Sequence, residues 1–265
     1  MGGGYAWFTM NKEVTVSGLQ VQATSDNGLV ISGDAKTTWL TAWNVGMTSS
    51  VSLAPTSTNA NASSLAWVSA KSHDFNDEDS EQTAEGAYTD LSLTYSAPSP
   101  ANGDFGTGEG LGRDSTSGFD YVLLKKLFIK ASGTEALGET LKISDVTATV
   151  TANGDETDQL SRSLRVLVVV NNAQSFIYAP IENYDSTIKW KNTTTLTLVP
   201  TGTASTTSVT SIPNTDAGAI PVDIYIYFEG EDDACKSANI QGITLDDISI
   251  RAQFTTQAAQ QTTGG

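Results

Sequence analysis

The chain has 265 residues and a formal net charge of -16, with 14 Lys and Arg set against 30 Asp and Glu. Such an excess of negative charge repels nucleic acid and anionic lipid over the distances at which charge steers encounters, which excludes both as partners. Cys235 stands alone, so no intramolecular disulfide forms, and His73 stands alone, so neither an HExxH site nor a three-histidine metal site can be built.

Residues 1–13 read as an N-terminal extended segment, in which Met1 to Gly4 are an initiator and an expression remnant. Tyr5-Ala6-Trp7-Phe8-Thr9-Met10 then place an aromatic, apolar knot at the end of a polar chain. Chain ends fray unless something ties them down, so this knot is expected to be buried, either in its own subunit or in another. It has the look of a point just after a removed secretion signal. No later run reaches the ~18 apolar residues that a membrane span needs. The expected localisation is secreted, extracellular or cell-surface associated.

Residues 14–254 are expected to form one all-β, jelly-roll-like antiparallel sandwich with at most short helices. Thr, Ser, Val, Ala and Gly dominate, while the helix-forming surface residues Glu, Lys, Leu and Arg are sparse. Strands are expected at 15–23, 29–32, 91–95, 121–130, 143–151, 164–170, 175–179, 188–191, 195–199, 222–228 and 248–254. About ten strands separated by Gly, Asn, Asp and Pro turns describe a sandwich or jelly roll. In 222–228, Val222, Ile224, Ile226 and Phe228 share one face at period two, with Tyr225 and Tyr227 on a half-buried other face. Residues 164–170 are apolar on both parities for most of their length, which predicts a central strand covered on both sides. Ile248, Ile250, Ala252 and Phe254 alternate with polar residues and predict one wet face. Lys125 and Lys126 are expected to mark a bulge or an exit, and Asp26-Asn27-Gly28 and Asn153-Gly154-Asp155 are hairpin signals. Short helices are expected at 158–164 and 40–45. Residues 71–90 and 96–118 read as surface loops, 201–216 as a long loop or an edge hairpin, and 255–265 as a disordered polar tail.

Within the acidic stretch, Asp74, Asn76, Glu78 and Glu85 fall at the first, third, fifth and twelfth positions of a calcium loop. The sixth position is Asp79 where Gly is needed, and no amphipathic helices flank it, so an EF-hand is not expected. A looser calcium site remains as an expectation beside a solvated acidic loop, because closely spaced carboxylates repel unless neutralised. Calcium is the one cofactor considered. Gly106 to Gly112 lacks the spacing and the Lys-Ser/Thr ending of a phosphate loop and reads as a mobile loop. His73 reads as a solvated imidazole, Cys235 as structural, and no GxSxG is present. No catalytic residue is expected. Asn61-Ala62-Ser63 and Asn192-Thr193-Thr194 match glycosylation sequons.

Tyr5-Ala6-Trp7-Phe8-Thr9-Met10-Asn11-Lys12, running into Val14-Thr15-Val16-Ser17-Gly18-Leu19-Gln20-Val21, resembles the mature N-terminus of TasA/camelysin-type exported proteins of Gram-positive bacteria. The segment from Val222 to Asp232 and the strand 248–254 are similar to the closing strands of that group. The resemblance implies a jelly-roll subunit of an extracellular or biofilm-matrix fibre. In such fibres the N-terminal segment of one subunit lies as a strand in a groove of the next, so Tyr5, Trp7, Phe8 and Met10 become subunit contacts. Partners are then copies of the chain itself, with cell-wall or matrix contact. Camelysin's metallopeptidase activity does not carry over, since the chain has one histidine and no HExxH.

Physics favours the same assembly. A strand supplied in trans satisfies sheet-edge amides and carbonyls, and burying Trp7, Phe8 and Met10 contributes roughly 1.5 to 3 kcal/mol per side chain. A head-to-tail contact that does not close generates a filament. Three alternatives stand beside it. The segment folds back as an edge strand of its own sandwich; the chain is a monomeric adhesion or carbohydrate-binding module using Trp39, Trp43, Trp67 or Trp190, which otherwise are core residues; or it is a glycosidase using paired carboxylates, although nothing selects a pair.

Overall fold

The computed structural model describes residues 16–23, 28–46, 56–65, 67–69, 89–91, 109–111, 122–154, 163–180, 192–200, 206–229 and 243–258. These hold β1 (Val16–Ala23), β2 (Leu29–Ser32), β3 (Ala42–Gly46), β4 (Thr56–Thr58), β5 (Trp67–Ser69), β6 (Thr89–Leu91) and β7 (Glu109–Leu111). They continue with β8 (Val122–Ala131), β9 (Glu139–Gly154), β10 (Leu164–Val170), β11 (Gln174–Pro180), β12 (Asn192–Pro200), β13 (Ile220–Phe228) and β14 (Ile243–Ala258). No α-helix occurs among the described residues. The all-β class expected from composition is what the chain adopts.

The large sheet runs β2-β8-β13-β10-β11-β12-β9-β14-β1-β3, with β7 added on β8, and β4-β5-β6 form a separate small sheet. The two ends of the long path meet. Ile31 of β2 and Leu40, just before β3, exchange backbone hydrogen bonds of 2.7 and 2.9 Å, so the strands close into a ring around one core. Val21, Leu29, Ile31, Leu127, Ile129, Leu141, Val166, Val168, Val222, Ile224 and Phe254 are each no more than 1% exposed inside it.

β13 shows how the alternation builds this core. Val222, Ile224, Ile226 and Phe228 face inward, while Tyr225 and Tyr227 face a second cluster with Trp67, Val122, Leu124, Leu167 and Val169. The small sheet and the 59–65 turn supply the outer wall of that cluster, through Trp67 and the partly buried Ala60, Ala62 and Leu65. β10 is therefore covered on both faces, as its apolar run Val166–Val170 requires. Tyr227 is 0% exposed rather than half-buried, because Trp67 lies edge-on against it with ring centroids 5.1 Å apart.

The register of β9 explains why its alternation is hidden in the sequence. Its pairing with β14 shifts between Gln253 and Phe254, where Ser144 is the extra residue on β9 and donates its hydroxyl to the Gln253 carbonyl at 3.1 Å. A bulge inserts one residue, so the inward set changes parity from Leu141 and Ile143 to Val146 and Ala148.

Several expectations are corrected. Residues 40–45 are not a helix: Leu40 bridges Ile31 and Ala42–Gly46 is β3, because the turn at 33–38 brings the chain back along β2. The same holds where residue 164 was placed at a helix end, since it opens β10, while 158–162 lie outside the described residues. Lys125 and Lys126 make no bulge, for β8 stays in register with β13 through both. Asn153 and Gly154 make no hairpin turn; they pair with Thr244 and Ile243, because β14 extends far enough to hold them in the ladder. Gly28, at φ +79°, sits beside the β8 turn, but β1 and β2 are not neighbours in the sheet. The positive φ is what requires glycine, since the atom a Cβ there would meet, Ser132 Oγ at 2.2 Å, is a hydroxyl that can rotate away.

Part of the expected loop at 96–118 is strand β7, which covers the β8 edge from Leu124 to Val122, and Thr89 and Asp90 of the acidic stretch belong to β6. β14 runs on to Ala258, four residues beyond the expected start of the tail, because Thr255–Ala258 find backbone partners on Lys142–Glu139. The 201–216 tract is neither open loop nor edge hairpin over its described part. It straps the mouth of β9: Thr207 Oγ1 donates to the Leu141 carbonyl at 2.8 Å, and Ile212 is fully buried in the main core.

Candidate functional site

The best candidate site is the clasp between the first and last strands. β1 lies between β14 and β3, parallel to β14 and antiparallel to β3, and it is the one parallel pairing among the described strands. Its register runs from Val16 opposite Ile248 to Ala23 opposite Phe254. On the core side Val21, Ile250, Ala252 and Phe254 are fully buried, with Ala23 6% exposed. On the outer side Arg251 reaches Gln253 with one guanidinium nitrogen at 3.2 Å, while its Nε is buried without a hydrogen-bond partner. β14 begins at Ile243, five residues before the partner of Val16, so its leading half extends past the first described residue of β1.

Because β1 and β14 run the same way, Val16 lies toward the pole where β14 starts and Ala258 lies at the opposite pole. A 16-residue strand separates the two poles by about 50 Å. The proposed contact residues Tyr5, Trp7, Phe8 and Met10 lie outside the described residues, as do the calcium candidates Asp74, Asn76, Glu78 and Glu85 and the residues His73 and Cys235. Among the described residues no group of three or more His, Cys, Asp or Glu side chains is placed to hold a metal ion.

A second locality was missed from sequence, on the outer face of β8. Lys36 Nζ stands 4.5 Å from the centre of the Phe128 ring, and Lys130 Nζ stands 4.3 Å from the Trp39 ring while pairing with Asp216 at 2.6 Å. Lys126 pairs with Asp223 at 2.8 Å. Period-two spacing of Lys126, Phe128 and Lys130 is the only sequence signal of this arrangement. The turn that carries Lys36 and Trp39 is organised by Asp34, whose Oδ1 accepts from Ser32 Oγ at 2.7 Å and from the Thr37 and Thr38 amides at 3.2 and 2.9 Å. Partial burial pushes the Asp34 carboxyl upward, but the hydrogen bonds from Thr37, Thr38 and Ser32 outweigh it and hold it well below the usual carboxylate range. Ala35 and Lys36 accept positive φ to close this turn.

Lys125 faces the other way. It is 2% exposed, in line with Leu123 and Leu127 of the main core, and its Nζ donates to the Gly33 carbonyl at 3.2 Å. The same Asp34-organised turn therefore supplies an acceptor to a buried ammonium and a lysine to the surface. Of the tryptophans considered as sugar platforms, Trp67 is 5% exposed and belongs to the second core. Trp39 is half-buried with Lys130 over its ring, the backbone of Trp43 lies in β3, and Trp190 falls outside the described residues.

No family model, no curated protein and no solved structure matches the chain.

Proposed function

We propose that the chain is a secreted, non-enzymatic, jelly-roll-like subunit of an extracellular fibre, joined head-to-tail by donation of residues 5–13 to a neighbouring copy. The observation that carries this is the parallel placement of β1 on β14. β14 begins at Ile243, ahead of the Ile248 that pairs with Val16, so a segment that continued β1 along it would run toward the pole of the sheet. An apolar segment delivered beyond the pole of its own sheet fits a groove on another copy better than one on itself, since a cis site requires the chain to reverse there. Val16 and Ala258, which lie toward opposite poles, fit a repeat that does not close on itself, and so a filament. The monomeric sugar-binding alternative has less support, because Trp67 is core and one face of Trp39 is covered by Lys130.

The test compares the chain beginning at Tyr5 with one beginning at Val14. The longer chain is expected to form fibres visible by electron microscopy, and the shorter to remain a folded monomer by scattering. Fibres from the shorter chain would refute donation by residues 5–13.

A further inference from the structure

Two sequons occur in the chain, and the fold treats them differently. Asn192 opens β12, with its backbone paired to Ala152 inside the large sheet. Asn61 lies in the exposed turn between β4 and β5, where Thr58 Oγ1 accepts the Ala60 amide at 3.1 Å, Asn59 Oδ1 accepts the Asn61 amide at 3.1 Å, and Ala60 takes φ +50°. Ser64 N then donates to the Asn61 carbonyl at 3.0 Å, and Asn59 Nδ2 donates to the Ser64 carbonyl at 3.0 Å. The turn is therefore pinned at both ends. Its apolar residues Ala60, Ala62 and Leu65 pack against the second core, and Ser175 Oγ on β11 donates to the Ala60 carbonyl.

That anchoring leaves the Asn61 side chain exposed in one conformation. Its Oδ1 accepts from the Ser63 amide at 3.1 Å and from the Ser63 hydroxyl at 2.9 Å. Both bonds use the oxygen, and among the described residues none uses Nδ2. The oxygen is thus held by the residue two positions on while Nδ2 is left for an incoming group, in an Asn-x-Ser sequon on an exposed turn.

We propose that Asn61 is an N-glycan acceptor and that Asn192, in the folded chain, is not. The substrate class is an oligosaccharide carried on a polyisoprenyl diphosphate, brought by an oligosaccharyltransferase. Asn61 Nδ2 attacks the anomeric carbon; the N–C bond forms as the C–O bond to the diphosphate breaks. The diphosphate leaves with the bonding pair, and the amide proton passes to a carboxylate of the transferase. A glycan here is carried on the turn between β4 and β5, whose apolar residues pack against the second core. In a cell this modification depends on the export proposed above, but the acceptor geometry does not.

The purified folded chain is incubated with a solubilised oligosaccharyltransferase and its polyisoprenyl-diphosphate oligosaccharide, and glycopeptides are mapped by mass spectrometry. The folded chain is expected to carry glycan on the Asn61 peptide alone, and the heat-unfolded chain on both sequons. Asn61→Gln and Ser63→Ala abolish the folded-state product, and Ser63→Thr retains it. No glycan on Asn61 of the folded wild-type chain, or equal modification of Asn192, overturns the proposal. Because the assay involves neither export nor fibres, its failure leaves the fibre reading to its own test.

Discussion

Trp67→Ala tests whether the small sheet is part of the fold's stabilising core or an ornament on it. Trp67 is 5% exposed and lies against two tyrosines of β13, with ring centroids 5.6 Å from Tyr225 and 5.1 Å from Tyr227. Truncating a buried Trp to Ala costs about 3–5 kcal/mol, and an edge-to-face aromatic pair accounts for about 0.5–1.5 kcal/mol beyond area. The indole sits at the boundary between two sheets, where the small sheet can relax toward the gap, so the expected loss is near the lower end, about 3 kcal/mol. Against a typical total of about 5–15 kcal/mol, that loss is measurable in urea by far-ultraviolet circular dichroism, as a lower midpoint with an unchanged slope. A second readout is local. Burial, reinforced by Glu229 and opposed by Arg165, holds the Tyr227 hydroxyl above its ordinary range, and removing Trp67 admits water and lowers it. A variant that loses less than about 1 kcal/mol and leaves the Tyr227 titration unmoved would refute the role assigned to the second core.

The remaining predictions concern the main core and alkaline pH. Tyr178 and Tyr227 are both raised by burial, and neither hydroxyl has a hydrogen-bond partner among the described residues, so folding favours the neutral phenol. Their contribution is fully present below the unfolded value near 10 and is lost as pH rises above it, at about 1.4 kcal/mol per unit for each group. Urea midpoints measured across that range are expected to fall; Tyr178→Phe and Tyr227→Phe should flatten the decline and cost little at neutral pH, whereas an equal decline in both variants contradicts the assignment. At the clasp, Phe254 is fully buried opposite Ala23. Phe254→Ala is expected to cost about 3–5 kcal/mol in the same assay, and a loss under about 1 kcal/mol would show that β14 does not anchor β1 through its core face.

Much of the fold was legible because burial and alternation coincide. β13 and β10 announce themselves, one by strict period two and the other by a run that is apolar but for Arg165, since each meets a single kind of environment on each face. β9 shows itself only over 143–151, because Ser144 shifts its parity and the residues before it alternate in the other phase. β7 and the end of β14 were hidden for another reason: Glu109 and Gly110 disfavour a strand, Thr255–Ala258 show no apolar alternation, and these segments become strands because a neighbour offers unpaired amides and carbonyls. Lys125 misled for the converse reason. A lysine in an apolar run reads as an exit, yet the Gly33 carbonyl, brought to it by a turn far away in sequence, makes the inward position tenable. The candidate site was legible only as composition. The aromatic knot signals burial, whereas the parallel pairing of the strand that follows it, β1 on β14, is encoded by no local pattern.

That pairing also bears on how a strand comes to be shared. Antiparallel neighbours such as β10 and β11 are joined by the short turn at Asn171 and Asn172 and need little loop closure, so they are secured locally. β1 has no such support on its β14 side: Val16 meets Ile248 near the other end of the chain, and the whole intervening ring must be in place before the contact exists. Contacts that demand the largest loop closure form late and are the ones a second chain replaces at least entropic disadvantage, because for an incoming strand the closure term is exchanged for concentration. The strand that follows the aromatic segment is thus the one whose placement depends most on the completed fold. Its parallel alignment points Val16 toward the pole where β14 begins, so in the proposed fibre donation of residues 5–13 would ask only for a neighbour aligned end to end.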